Sequence, residues 1–105
     1  MLAVTRATLL SEDRDTIERF VAAVQDGARA ELRDPAAAAQ DIARASDTKD
    51  LGLVRAQLAA VRPIVDPKLR LHRTVLEQWA KFGARIGLLS GQPDVRSAFD
   101  FSLAR

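Results

Sequence analysis

The chain has 105 residues, a formal net charge of +2, and 48% hydrophobic and 29% charged residues. This composition is typical of a globular domain and argues against a disordered chain. Because the sequence has no cysteine and a single histidine, it excludes disulfides, thiolate metal sites and sites that need several imidazoles. The basic residues are spread along the chain, so we expect no nucleic-acid partner.

The N-terminal part predicts a strand followed by a long helix. Residues 2–10 mix apolar and β-branched side chains, which favour a short strand. Residues 12–33 predict a helix, because apolar residues recur at spacings of three and four. These residues are Ile17, Phe20, Val21, Val24, Ala28 and Leu32. A lone strand leaves backbone groups unpaired, so we expect it to pair with a second copy or with a sheet outside this sequence.

Two shorter helices are predicted next. Asp34 is a good N-cap and Pro35 fits a first helical turn, so a helix is predicted over residues 35–45. Another helix is predicted over residues 48–62, since proline at position 63 disfavours helix before it. Its apolar side carries Leu51, Val54, Leu58 and Val61.

The C-terminal part predicts an extended connector and two helices. Residues 63–73 alternate apolar and polar side chains near their end, which is typical of extended backbone. Thr74 is the expected cap of a helix over residues 74–88, and Asp94 that of a short helix over residues 94–104. The first of these two helices has the strongest apolar face in the sequence, formed by Val75, Trp79, Phe82 and Ile86.

The fold class predicted is therefore mainly α, with one short N-terminal strand followed by about five helices in a single, partial domain over residues 1–105. The predicted structural core consists of Phe20, Val24, Gly27, Leu58, Trp79, Phe82 and Phe99. Gly27 costs about 1 kcal/mol relative to alanine inside a helix, so we expect another helix to pack closely against it. Trp79 is expected at the centre, where replacement by alanine would cost about 3–5 kcal/mol.

Three parts of the sequence could form functional sites, and each also has a simpler structural explanation. His72 could join a serine and an acid in a hydrolase triad, but no G-x-S-x-G motif is present. The basic segment 68–73 could bind an anion, although the polar side of a connector explains it more simply. Trp79 and Phe82 could line a ligand pocket, although aromatic residues three apart on a helix are more often core. We expect no enzyme activity, no cofactor and no metal, and we assign no catalytic residue.

The order of these features resembles a known family. A β-rich "LAVTRATLL", the helix "ERFVAAVQDGARAELRDPAAAA", "LVRAQLAAV", "LEQWAKFGARIGLL" and "DVRSAFDFSLAR" follow one another. This order is similar to the C-terminal region of substrate-binding proteins of ABC importers, the nitrate, sulfonate, taurine and thiamine-precursor group of type 2 periplasmic binding proteins. The matching positions are Phe20, Ala23, Gly27, Asp34, Pro35, Ala39, Trp79, Gly87, Leu88, Asp94 and Phe99.

The resemblance implies a segment of a bilobed α/β clamp that closes on a small anionic or heterocyclic solute and delivers it to an ABC permease. It implies binding without catalysis, and it places no ligand-binding residue in this chain. Without the rest of the clamp, we expect no solute binding by the chain alone, and we expect a homodimer or larger assembly through exposed apolar faces. The location expected is periplasmic or extracytoplasmic within a full-length family member, and cytoplasmic if Met1 is the true start, because the sequence shows no signal peptide.

Two other functions are compatible with the sequence. One is a free-standing small helical module for protein interaction or oligomerisation, and the other is a helical protein associated with nucleic acid.

Overall fold

A computed structural model describes residues 3–104. The fold is mainly α, with 67% helix, which confirms the predicted mainly α class. The described residues contain no strand. The α-helices are α1 (Ala7–Glu12), α2 (Arg14–Arg33), α3 (Pro35–Ala45), α4 (Leu51–Val61), α5 (Arg73–Arg85) and α6 (Val95–Ala98). Where the sequence suggests one domain, the contacts divide the chain into an N-terminal unit, Met1–Pro67, and a C-terminal unit, Lys68–Arg105.

The strand predicted over residues 2–10 is wrong. Ala7–Glu12 forms α1, and the described residues before it form no strand, while Leu2 lies outside the described part. The Leu10 amide donates to the Arg6 carbonyl at 3.2 Å. A helix pairs its own backbone groups in this way, whereas a lone strand would leave them without partners.

The long helix predicted over residues 12–33 is interrupted at Asp13. The backbone of Asp13 has φ −140° and ψ 55°, which ends α1, and its carboxylate accepts a hydrogen bond from the Thr16 amide at 3.3 Å. Asp13 is thus the N-cap of α2. The spacing of apolar residues does not reveal this break between α1 and α2.

Side-chain caps fix the next two helices. Asp34 accepts from the Ala37 amide at 3.0 Å and Pro35 opens α3, so the bounds predicted for this helix, 35–45, are confirmed. The next helix begins later than predicted, because Asp50 caps it by accepting from the Leu53 amide at 2.9 Å. This helix ends at Val61 and continues into a 3₁₀ turn at Arg62–Ile64.

The core of the N-terminal unit is formed by small side chains. Ala39 and Ala43 of α3 and Val54 of α4 are buried, and Leu51 and Leu58 pack against them. The alanines lie one turn apart on the same side of α3, which allows α4 to approach closely. Leu58 is therefore confirmed in the core, and no large side chain is fully buried among residues 3–104.

The C-terminal unit also departs from the predicted bounds. Residues 63–73 start in the 3₁₀ turn and form no strand, and α5 begins at Arg73 after His72, so Thr74 lies inside the helix and is not its cap. The last helix is only one turn long, because Phe99 adopts extended backbone with φ −128° and ψ 136°.

Gly87 ends α5 in a Schellman motif. Its φ is +75°, its amide donates to the Ala84 carbonyl at 3.2 Å, and the Leu88 amide donates to the Gly83 carbonyl at 2.9 Å. Glycine adopts this left-handed conformation without the steric cost of a Cβ atom.

Much of the predicted core is wrong. Phe20 is 56% exposed, Trp79 65% and Phe82 42%. Gly27 is also exposed, and a Cβ atom there would have nothing within 4 Å, so no helix packs closely on it. The spacing of apolar residues identifies a common face, but it does not show that anything covers the face. The two other predicted core residues, Val24 and Phe99, are half-buried.

Gly27→Ala should therefore stabilise the chain, by about 1 kcal/mol, because α2 gains a better helix former without a clash. Gly87→Ala is the matched control and should destabilise by about 1–2 kcal/mol, since alanine resists a positive φ. Urea unfolding followed by circular dichroism measures both. Loss of stability in Gly27→Ala would mean that something approaches this backbone.

Ala39→Leu should destabilise the N-terminal unit by about 1–3 kcal/mol, because Ala39 is 0% exposed and a larger side chain overpacks its site. Ala37→Leu, at an exposed position on the opposite side of the same helix, should change stability by less than about 0.5 kcal/mol. Thermal unfolding of the two variants compares them directly. Equal midpoints would contradict the α3–α4 packing described here.

Candidate functional site

The most distinctive surface is an exposed apolar stripe on α5, termed the α5 face. It consists of Val75, Trp79, Phe82 and Ile86. These residues are separated by four, three and four positions, so they lie on one side of the helix. Each is between 42% and 65% exposed, and Leu88 beyond the helix end is 77% exposed. The α5 face is therefore continuous and uncovered.

Small buried residues beside and behind the α5 face explain why the large residues point outward. Ala80 and Gly83 are buried, as is Val95 of α6, which α5 contacts. A Cβ atom on Gly83 would lie 3.0 Å from Cδ1 of Leu89, so the loop after α5 sits directly on the glycine. Small residues thus fix the helix in its unit and leave its bulky side free.

Contacts within the α5 face hold its aromatic rings in place. Trp79 and Phe82 meet edge to face, with ring centroids 6.0 Å apart and an interplanar angle of 87°. The Arg85 guanidinium lies 5.4 Å from the centroid of the Phe82 ring. Aromatic pairs of this geometry contribute about 0.5–1.5 kcal/mol, so the surface is formed before any partner binds.

Exposed apolar residues of the N-terminal unit are more scattered. Phe20 is on α2, Ile42 on α3, Leu53 on α4 and Ile64 in the 3₁₀ turn. Single exposed apolar residues are common on protein surfaces. The α5 face therefore is the stronger candidate for a binding surface.

The residues of the hypothetical triad are not brought together. His72 is exposed, and no described residue is hydrogen-bonded to its imidazole. Serine hydroxyls instead donate to nearby oxygens: Ser11 to Thr8, Ser46 to Ile42, Ser97 to Asp94 and Ser102 to Asp100. These are local helix-end and turn contacts of the kind that serine makes for structural reasons.

The basic segment 68–73 does not form a free cationic cluster. The Arg73 guanidinium lies 4.9 Å from the centroid of the Phe101 ring, and Lys68 and Arg70 also have interaction partners. These three basic side chains therefore already have partners in the chain, which supports the simpler interpretation of this segment.

A shallow groove of about 320 Å³ in the C-terminal unit is lined by Glu77, Gln92, Pro93, Asp94 and Val95. Its Asp94 carboxylate accepts from the Arg96 amide at 2.9 Å and so caps α6. Within residues 3–104 no three potential metal-binding side chains come together. The Asp94 carboxylate of the groove is therefore already hydrogen-bonded to the backbone.

Glu31 was not anticipated from the sequence. Both of its carboxylate oxygens are buried without a hydrogen-bond partner among the described residues. The next residue, Leu32, accepts a hydrogen bond at 2.6 Å from the Arg62 guanidinium. Buried carboxylates are costly when unpaired, yet no periodicity or motif marks this position, and the described structure does not explain it.

No helix among residues 3–104 is long and apolar enough to cross a membrane. Comparison of the chain with protein-family models, curated proteins and solved structures found no match.

Trp79→Ala should lower the free energy of unfolding by only about 1 kcal/mol or less, because most of the side chain is already exposed. Val54→Ala, which removes a buried side chain, should cost more, about 1–2 kcal/mol. Urea titrations followed by circular dichroism, with the protein diluted to a single low concentration, give both values. A loss of about 3 kcal/mol or more in Trp79→Ala would place the indole in a core after all.

Proposed function

We propose that the chain is the C-terminal helical segment of a solute-binding protein of an ABC importer, of the nitrate, sulfonate, taurine or thiamine-precursor type. Its role is to complete the clamp that captures a small anionic or heterocyclic solute for a permease. The proposal assigns it no catalytic residue, cofactor or metal, and places the protein outside the cytoplasm. It rests on the sequence order that runs from Phe20 through Gly27 and Pro35 to Trp79.

The observation that carries the proposal is the uncovered α5 face. A helix with one strongly apolar side normally packs against another layer of structure. In a bilobed α/β clamp that layer is a sheet, and residues 3–104 contain no strand that could supply it. The buried Ala80 lies on the other side of α5 and the buried Gly83 at the border of the α5 face, so the α5 face itself is available to such a layer.

A free-standing helical interaction module is the second candidate. It is favoured by the way the N-terminal unit closes on itself, with Ala39, Ala43 and Val54 buried together. The aspartate caps of α2, α3 and α4 also belong to the chain itself. Such a module would use the α5 face for assembly and would have no solute.

The genome that encodes the chain distinguishes the two candidates. The transport proposal predicts an upstream in-frame region that encodes the remaining lobe, or neighbouring genes for a permease and an ATPase. A coding region that starts at Met1 and has no transport genes beside it would favour the free-standing module.

A thermal-shift experiment tests the transport proposal on the protein. Taurine, nitrate and a hydroxymethylpyrimidine are each added to this chain and to any longer product of the same gene, with sodium chloride at equal ionic strength as the control. The longer product should be stabilised by one of these solutes, as expected when a ligand binds only the folded state, and this chain by none. A specific shift in this chain, or no shift in the longer product with any member of the three solute classes, would contradict the proposal.

A further inference from the structure

We infer that the α5 face binds the same face of a second copy of this chain, with the two α5 helices antiparallel. The inference does not depend on the transport role, because it concerns this chain by itself and uses only the C-terminal unit. It assigns the self-association expected from the sequence to one surface and one orientation.

The exposed area is sufficient for a weak dimer. The four residues of the α5 face and the adjacent Leu88 and Leu89 are 38% to 77% exposed. Since an aromatic side chain alone covers about 150–250 Å², these residues expose roughly 600 Å² per copy. Two copies would bury about 1,200 Å², which is the lower limit of stable interfaces. Interfaces near this limit belong mostly to weak, transient complexes, so we expect a dissociation constant of about 10 µM.

The α5 face is symmetric in its residue types. Along the helix it reads β-branched, aromatic, aromatic and β-branched: Val75, Trp79, Phe82 and Ile86. A two-fold axis midway between Trp79 and Phe82 places Trp79 against Phe82 of the second copy. The same axis places Val75 against Ile86 of the second copy. This surface is therefore self-complementary, as a two-fold interface requires.

The residues that border the α5 face suit the antiparallel orientation. Gln78 and Arg85 lie along one border and Leu76 and Gly83 along the other. The two-fold axis brings Arg85 close to Gln78 of the second copy, whose amide oxygen can accept from the guanidinium. The two Arg85 residues are then about 13 Å apart along the helices, at 1.5 Å per residue. That separation exceeds the screening length of about 8 Å at physiological salt, so their repulsion is small.

Sedimentation equilibrium tests the surface. The unmodified chain should pass from monomer to dimer between about 1 and about 100 µM. Trp79→Glu should remain monomeric over this range, because it places a charge in the middle of the interface. Ile64→Glu is the matched control, since Ile64 is 83% exposed and lies in the other unit, and it should dimerise like the unmodified chain. Circular dichroism of each variant verifies that it is folded.

Disulfide trapping tests the orientation, and it is unambiguous because the chain has no cysteine of its own. Two variants, Gln78→Cys and Arg85→Cys, are oxidised separately and as an equal mixture. The antiparallel arrangement predicts that the mixture forms the disulfide between the two variants at least several-fold more than either variant forms one alone.

Three results would overturn the inference. They are a monomer at the highest concentration, a dimer that Trp79→Glu leaves intact, and cross-linking that is strongest between two Arg85→Cys chains. A monomer would rule out a second copy as the occupant of the α5 face and leave this surface to a different partner or to a further part of a longer protein. None of these results bears on solute binding by a longer gene product, so the inference and the transport proposal fail independently.

Discussion

Each unit of the chain is held together by close packing over alanine and glycine. In the N-terminal unit Ala39 and Ala43 let α4 approach α3, and in the C-terminal unit Gly83 lets Leu89 sit directly on α5. Both contacts require that the larger apolar residues of the same helices lie elsewhere. On α5 the consequence is that Trp79 and Phe82 are turned outward.

This arrangement has an energetic cost for the chain. Hydrophobic stabilisation grows with the apolar area removed from water, and alanine and glycine contribute little of it. Among residues 3–104, the buried apolar residues are Ala39, Ala43, Val54, Ala80 and Val95. Binding through the α5 face would remove more apolar area from water and would stabilise the folded state through mass action. Stability and assembly are thus linked in this account.

Local rules of sequence predicted much of the helical structure. The bounds of α3 were predictable because Asp34 and Pro35 act on backbone groups within three residues of them. Helix α1 was missed, because the apolar and β-branched residues of 2–10 favoured a strand and its missing partner was expected from a second copy or from a sheet outside this sequence. The same limit applies to the core. Periodicity identified the α5 face, but whether it is covered depends on contacts distant in sequence.

The candidate site was found partly by the same reasoning. Trp79 and Phe82 were recognised as an apolar pair, and the assumption that they are buried was the error. The buried core was missed at Ala39 because large apolar side chains were favoured as core residues, although the spacing of Ala39 from Ala43 is that of a packed helix side. Glu31 had no signal at all, since its burial depends entirely on tertiary packing.

We expect Trp79 to stay uncovered until another molecule binds the α5 face. Because Trp79 is the only tryptophan, its fluorescence reports on this face alone. Acrylamide quenching should be strong at about 0.5 µM protein, where monomers dominate, and markedly weaker at about 100 µM. Trp79 that is protected from acrylamide at the lower concentration as much as at the higher one would contradict the account.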